Sequence, residues 1–356
     1  MTARPLDTAR SVSTPSSALR GEPLLDVSRL TVEYVTERGA VAACNEVSFT
    51  LRRGEILGLA GESGSGKSSL ITALTRLQRL PALTTGGEIR YHTRDGHLLD
   101  LVTLDERRLR PLRWTELAIV LQSAMAAFNP VMRLKAQFAD VMVEHQPGIT
   151  RDEVAERTGR LLRMVGIAPE RAHSYPHELS GGMRQRALIA LALACEPELV
   201  VMDEPTTAVD VVMQRQILAQ ILRLQRRLGF AVVFVTHDLS LLMEIADRIA
   251  IMYAGRIVEI GAPQQLYTDP LHPYTRGLRD AFPPLHAPLT KLAGIPGSPP
   301  DLRDPPPGCA FHPRCAQRLP ECEQVLPRLH QVLPQHGERQ VACLLHDSID
   351  PDGEAA

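Results

Sequence analysis

The chain has 356 residues, of which 44 % are hydrophobic and 22 % charged, and its formal net charge is −2. Such a length exceeds one average domain, and such a composition excludes wholesale disorder. The near-neutral balance argues against a dedicated nucleic-acid binder, because those domains carry a clear basic excess.

Residues 1–22 are rich in Ser, Thr, Ala and Arg without an apolar stretch, so they read as a disordered tail and not as a secretory signal. Strands are expected over Leu24–Tyr34, Val47–Leu51 and the buried run Ile56–Ala60. A helix over Lys67–Leu77 should give way at Pro81, and Gly86-Gly87 precedes a strand over Glu88–Tyr91. Residues 125–183 read mostly as helix, with apolar positions at helical spacing in Val154–Val165, and form an insert between strands. Then come a helix over Gln185–Ala194, a buried strand over Leu199–Met202, a helix over Val212–Leu228 and a buried strand over Ala231–Val235. Helices alternating with continuous apolar strands predict an α/β fold, a parallel sheet covered on both faces. The longest apolar runs, Ala187–Cys195 and Phe230–Val235, fall far short of the ~20 residues that cross a bilayer. From Pro263 the pattern turns irregular, with Pro299-Pro300 and Pro305–Pro307, which predicts a small appended module and not more sheet. Residues 347–356 read as a second disordered tail.

Gly61-Glu62-Ser63-Gly64-Ser65-Gly66-Lys67-Ser68 lies between a buried strand and a helix, the setting a phosphate-binding loop requires. Its glycines let successive N–H groups curl around phosphate oxygens, and the helix that follows adds the positive end of its dipole. Lys67 should reach the β- and γ-phosphates of a nucleotide, Ser68 should ligate Mg²⁺, and Ser69 lies beside it. Asp203-Glu204 ends the apolar strand Leu199–Met202, at the carboxyl edge where open α/β sheets bind ligands. Asp203 fits the metal side, and Glu204 fits the base that polarises an attacking water. In Leu179-Ser180-Gly181-Gly182-Met183 a hydroxyl, glycine N–H groups and a helix N-terminus converge, with Ser180 as N-cap. That makes a second anion site, although Ser-Gly-Gly taken alone is more often a plain helix cap.

In this order the segments resemble the ATPase subunits of ATP-binding cassette (ABC) transporters, with Leu179–Arg186 looking like that family's signature sequence. The resemblance implies a P-loop NTPase, RecA-like core with an antiparallel β subdomain and the helical insert. It also implies that Ser180, Gly181 and Gly182 of one subunit close over the nucleotide held by the phosphate loop of the other. Three further positions match. Gln122 corresponds to the glutamine loop that senses Mg²⁺ and water and faces the membrane subunit. Thr207-Ala208-Val209-Asp210 resembles the loop that meets the opposite subunit, with Val209 where leucine is more usual. His237, in Thr-His-Asp, corresponds to the histidine that contacts the γ-phosphate, and Tyr34 to an aromatic ring stacked on adenine; core packing is the plainer role for that ring.

Phe128-Asn129-Pro130-Val131-Met132, Tyr267-Thr268-Asp269-Pro270-Leu271-His272-Pro273-Tyr274-Thr275, Ile295-Pro296-Gly297 and Gly308-Cys309-Ala310-Phe311-His312-Pro313-Arg314-Cys315 resemble the peptide and nickel importer branch. Ser123-Ala124 departs from the acidic-proline pair that is commoner there. The expected organisation is a nucleotide-binding domain over residues 23–262 and a peptide-importer-type C-terminal extension over residues 263–346. The resemblance implies an ATPase peripheral to the cytoplasmic face of the cell membrane that binds ATP and Mg²⁺. Its implied partners are two transmembrane permeases, an extracytoplasmic solute-binding protein and a second ATPase subunit, the same or related. Nickel or another small solute is an alternative cargo. A non-transport cassette ATPase acting on DNA or ribosomes is disfavoured by the single cassette, the lack of a long coiled-coil insertion and the near-neutral charge, and an exporter by the extension.

Cys309, Cys315, Cys322 and Cys343 cluster late in the chain, separated by five, six and twenty residues. In a cytosolic setting this pattern points to a metal or cofactor before disulfides. Structural zinc usually shows a pair ~2–4 residues apart, absent here, and the spacing matches no common ferredoxin pattern. Resemblance to importer ATPases with a cluster at matching cysteines favours [4Fe-4S] over Zn²⁺. Cys44 and Cys195 read as buried core thiols.

Overall fold

The computed structural model describes residues 21–37, 39–122, 127–206, 210–281, 294–332 and 338–346. Both expected tails, apart from residues 21 and 22, and the segments Ser123–Met125 and Thr207–Val209 lie outside them.

The chain opens with β1 (Pro23–Thr36), β2 (Gly39–Arg52) and β3 (Ile56–Ala60), then α1 (Lys67–Leu74), β4 (Ala82–His92), β5 (Leu98–Asp100), α2 (Glu106–Leu109) and β6 (Leu117–Val120). The insert holds α3 (Leu134–His145) and α4 (Arg151–Met164), and α5 (Gly181–Ala192), β7 (Leu199–Asp203), α6 (Val211–Leu228), β8 (Ala231–Val235), α7 (Leu239–Ile245), β9 (Arg248–Tyr253) and β10 (Arg256–Gly261) follow. The C-terminal region adds α8 (Pro263–Thr268), α9 (Pro273–Ala281), β11 (His330–Gln331) and β12 (Gln340–Val341).

β9, β3, β8, β7 and β6 run parallel in one sheet. Every residue of β3 and β8 is buried, which is why both read as unbroken apolar runs and not as alternating ones. β2, β1, β4 and β5 form a separate antiparallel sheet. Helix α6 shows how one-sided burial selects a helix: Ile217, Leu218, Ile221 and Leu224 turn inward, Asp210 caps its start, and Gly229 ends it at φ 76°.

The insert is less helical than its apolar spacing suggests. Pro169 and Pro176 open short 3-10 turns, Pro169–His173 and Pro176–Glu178, because a proline can begin such a turn but cannot donate into a helix interior. The expectation that the C-terminal region adds no sheet is also corrected. β12 pairs antiparallel with β10 (Glu259 opposite Val341) and β11 pairs with β12, extending the main sheet. Strands of two residues are too short to show alternation. What anchors them is a buried ion pair, Arg339 Nη2 to Glu259 Oε1 at 2.7 Å, whose carboxylate also accepts the N–H groups of Leu271 and His272, each at 3.0 Å. A buried pair is stabilising only when its remaining hydrogen-bonding capacity is met in this way.

Candidate functional site

Residues 61–66 link β3 to α1 at the carboxyl end of the parallel strands. Gly66 (φ 102°) runs so close to β2 that a β-carbon would lie 2.0 Å from the carbonyl oxygen of Ala43. Gly61 (φ 153°) is as confined, 2.2 Å from the oxygen of Met252. Both positions therefore require glycine on steric and conformational grounds. Ser63 and Gly64 are exposed on the loop, and Ser68 is exposed in the first turn of α1. Lys67 Nζ donates to the carbonyls of Gly61 (2.7 Å) and Glu62 (2.8 Å), so its charge rests on the loop itself. Burial pulls Lys67 below the usual lysine range, and Glu204, Asp203 and Glu62 oppose that shift. Tyr34, at the exposed end of β1, places its hydroxyl 3.2 Å from Ser69 Oγ in α1.

Facing the loop, β7 ends at Asp203, whose carboxyl burial pushes up, helped by Glu204 and opposed by Lys67. Glu204 sits at φ 44°, a left-handed conformation that is strained for a residue with a side chain, and its N–H donates to Val235 at 2.9 Å. That backbone turn aims the carboxylate across the sheet edge. Glu204 Oε2 accepts from Gln122 Nε2 at 2.8 Å, and Oε1 lies 3.1 Å from His237 Nδ1. Gln122 follows β6, Glu204 follows β7 and His237 follows β8, so three neighbouring parallel strands deliver the trio. The carboxylate holds two partners in place and stays close enough to Lys67 and Asp203 to interact with both charges.

The structure does not bring Ser180, Gly181 and Gly182 into this group. Ser180 Oγ accepts the N–H of Met183 at 3.2 Å and caps α5. Gly181 faces open space, and Gly182 packs on Met213 of α6. Among the described residues no hydrogen bond ties this turn to the phosphate loop.

Sequence reasoning missed a grip on the loop from the C-terminal region. Glu62 is held by Tyr274 and Arg314, which stand in segments noted above for resemblance alone. Nothing in sequence spacing links positions 212 and 252 apart along the chain. An acidic residue inside a phosphate loop was the one available signal, since a carboxylate there must be neutralised if an anion is to bind.

The four late cysteines do converge. All are free thiols, Cys322 and Cys343 buried and Cys309 and Cys315 partly so, and Cys309 N–H donates to Cys322 O at 2.8 Å. Burial pushes Cys309 up to about 11, and burial together with the other three thiols of the group pushes Cys343 up to about 12. Among the described residues, however, no three His, Cys, Asp or Glu side chains are arranged to hold a single metal ion. Cys44 is buried and pushed up to about 12 by burial alone, as a core thiol should be.

Two family models match the chain: ABC transporter over residues 44–207, and Oligopeptide/dipeptide transporter, C-terminal region, over residues 258–322. The chain is 41 % identical to the dipeptide transport ATP-binding protein DppD of Lactococcus lactis subsp. cremoris, across 82 % of this chain and 83 % of that one. It is 41 % identical to the oligopeptide transport ATP-binding protein OppD of Salmonella typhimurium, across 83 % of this chain and 87 % of that one. Among solved structures, the fold matches a dimeric post-hydrolysis state of an ATP-binding cassette bound to ADP and Pi. There the TM-score is 0.59 at 24 % identity, covering 67 % of this chain and 99 % of the other.

Proposed function

Because the chain belongs to the ABC transporter ATPase family and is an ATP-binding, ATP-hydrolysing subunit, we propose that it powers the import of di- or oligopeptides. The observation that carries the chemistry is the meeting of Gln122 and His237 on the Glu204 carboxylate, whose charge reaches Lys67. In this reading the loop N–H groups and Lys67 take the phosphates, Lys67 leaving the carbonyls of Gly61 and Glu62 to do so. Glu204 orients and deprotonates the attacking water, with Gln122 and His237 fixing the carboxylate. Ser68, Asp203 and Gln122 are the oxygen donors suited to Mg²⁺, which supplies charge neutralisation at the phosphates. In the same reading Tyr34 covers the base, and its hydrogen bond to Ser69 of α1, at the start of the helix that follows the loop, supports this.

In this reading the turn at Ser180 serves a second ATPase subunit, since Ser180 and Gly181 are exposed and no described hydrogen bond ties the turn to this chain's own phosphate loop. The domain limits are read as 23–262 for the cassette and 263–346 for the extension, which the Arg339–Glu259 pair fastens to it. Among the described residues no helix is long and apolar enough to cross a membrane; in this reading, which the peptide-transport relatives support, two permeases supply the pathway. The subunit then works at their cytoplasmic face, with a solute-binding protein delivering cargo outside. Cells carrying only the Glu204→Gln chain should lose uptake of labelled di- and tripeptides and keep nickel uptake. Loss of nickel uptake with peptide uptake intact would reassign the cargo.

We further propose that the four cysteines hold a [4Fe-4S] cluster. Four thiols near enough in the fold to influence one another's charge offer a soft donor set, which supports this reading. A cluster would reverse the upward shift of these thiols, since coordination favours thiolate. Anaerobically purified protein should be brown with about four iron atoms per chain, and Cys315→Ser should remove both colour and iron. A colourless preparation with one zinc would assign zinc instead.

A further inference from the structure

We infer that Arg314 and Tyr274 are positioning residues for the phosphate loop, holding Glu62 so that ATP affinity depends on a contact made from the C-terminal region. Glu62 is the second residue of the loop, and all three of its polar groups are taken. Its N–H donates to Tyr274 Oη at 2.9 Å. Its carboxylate receives both ends of the Arg314 guanidinium, Nη1 to Oε2 at 2.7 Å and Nη2 to Oε1 at 3.0 Å. Its carbonyl accepts Lys67 Nζ. The first two contacts come from the C-terminal region, and the third is the cation that must turn to the phosphates.

The pair is not an ordinary surface ion pair. The Arg314 side chain is 6 % exposed and that of Glu62 24 %, and a two-pronged geometry adds directional strength to a partly desolvated contact. Arg314 is itself locked from behind. Its Nε donates to Pro296 O at 2.7 Å, its Nη2 to Gly297 O at 3.3 Å, and its guanidinium lies 5.8 Å from the Tyr253 ring centre. Tyr274 packs against Tyr253 and Phe311, with ring centres 4.5 and 5.4 Å away. Groups that only fastened the C-terminal region could have ended on any strand; these end on the loop that binds phosphate.

The inference rests on this loop being the nucleotide site, which Lys67→Ala tests separately by loss of ATP binding. Equilibrium ATP binding and steady-state hydrolysis should be measured for Glu62→Gln, Arg314→Gln, Tyr274→Phe, the single reversals Glu62→Arg and Arg314→Glu, and the reversed pair Glu62→Arg/Arg314→Glu. Glu62→Gln and Arg314→Gln should each raise Kd and KM for ATP about five- to tenfold, while kcat at saturating ATP stays within about twofold. Tyr274→Phe should shift KM in the same direction. The reversed pair should bind ATP more tightly than either single reversal. Glu62→Gln leaves the C-terminal region intact, so wild-type ATP affinity in that variant overturns the proposal however the Arg314 variants fold. A reversed pair no better than its single reversals would also overturn it, reducing Arg314 to a packing role.

Discussion

Glu204→Gln should reduce ATP hydrolysis by about 10²- to 10³-fold, the usual consequence of losing a general base, while ATP still binds and drives a stable dimer. The substitution keeps an acceptor for Gln122 Nε2, so the local arrangement survives. What it removes is basicity toward water and one negative charge. That charge lies near Asp203 and near the site where the γ-phosphate would rest, and two like unit charges about 5 Å apart repel by roughly 3 kcal/mol at an effective dielectric of ~20. Binding should therefore be unchanged or tighter as turnover falls. Radiolabelled phosphate release and size-exclusion chromatography with ATP measure the two effects. Hydrolysis at close to the wild-type rate would take the base role from Glu204.

The parallel core was legible because its strands are buried on both faces, so Ile56–Ala60 and Ala231–Val235 read as unbroken apolar runs. The phosphate loop was equally plain, since its glycines answer to steric limits that only glycine meets, as the approaches to Ala43 and Met252 show. Of the trio, Glu204 was legible from its place at the end of an apolar strand, whereas Gln122 and His237 were legible only as positions in a family pattern. The trio's hydrogen bonds depend on strand order, and nothing in a linear sequence says that the strands ending at Val120, Asp203 and Val235 lie side by side. The C-terminal region was hardest to read. Beyond α9 its order leans on single polar anchors, Arg339 on Glu259 and Arg314 on Glu62, more than on periodic apolar burial, which is the signal that secondary-structure reasoning follows. The four cysteines were visible as a group, but their convergence requires β12 to bring Cys343 back beside the main sheet, a pairing too short to foresee.

Ser180→Arg should abolish hydrolysis in a dimer whose subunits both carry it, while each subunit still binds ATP through its own loop. Ser180 makes one described side-chain hydrogen bond, the cap on Met183 N–H. Losing that cap costs about 1 kcal/mol, too little to unfold α5, most of whose length is buried. A larger effect must come from what the turn would otherwise approach. If the turn completes the site of the other subunit, a bulky cation blocks closure over that subunit's phosphates and leaves its own loop untouched. Two mixed dimers then separate the arrangements. Ser180→Arg paired with Lys67→Ala places both defects in one composite site and keeps the other whole, so activity should persist. A doubly substituted Ser180→Arg/Lys67→Ala subunit paired with an unsubstituted one places a defect in each composite site, and activity should vanish. Were each chain to complete its own site, the order would reverse: the first pair would be dead, and the second would retain one intact subunit. ATPase assays on differently tagged, co-purified pairs read that order directly, and the reversed result would exclude a site shared between subunits.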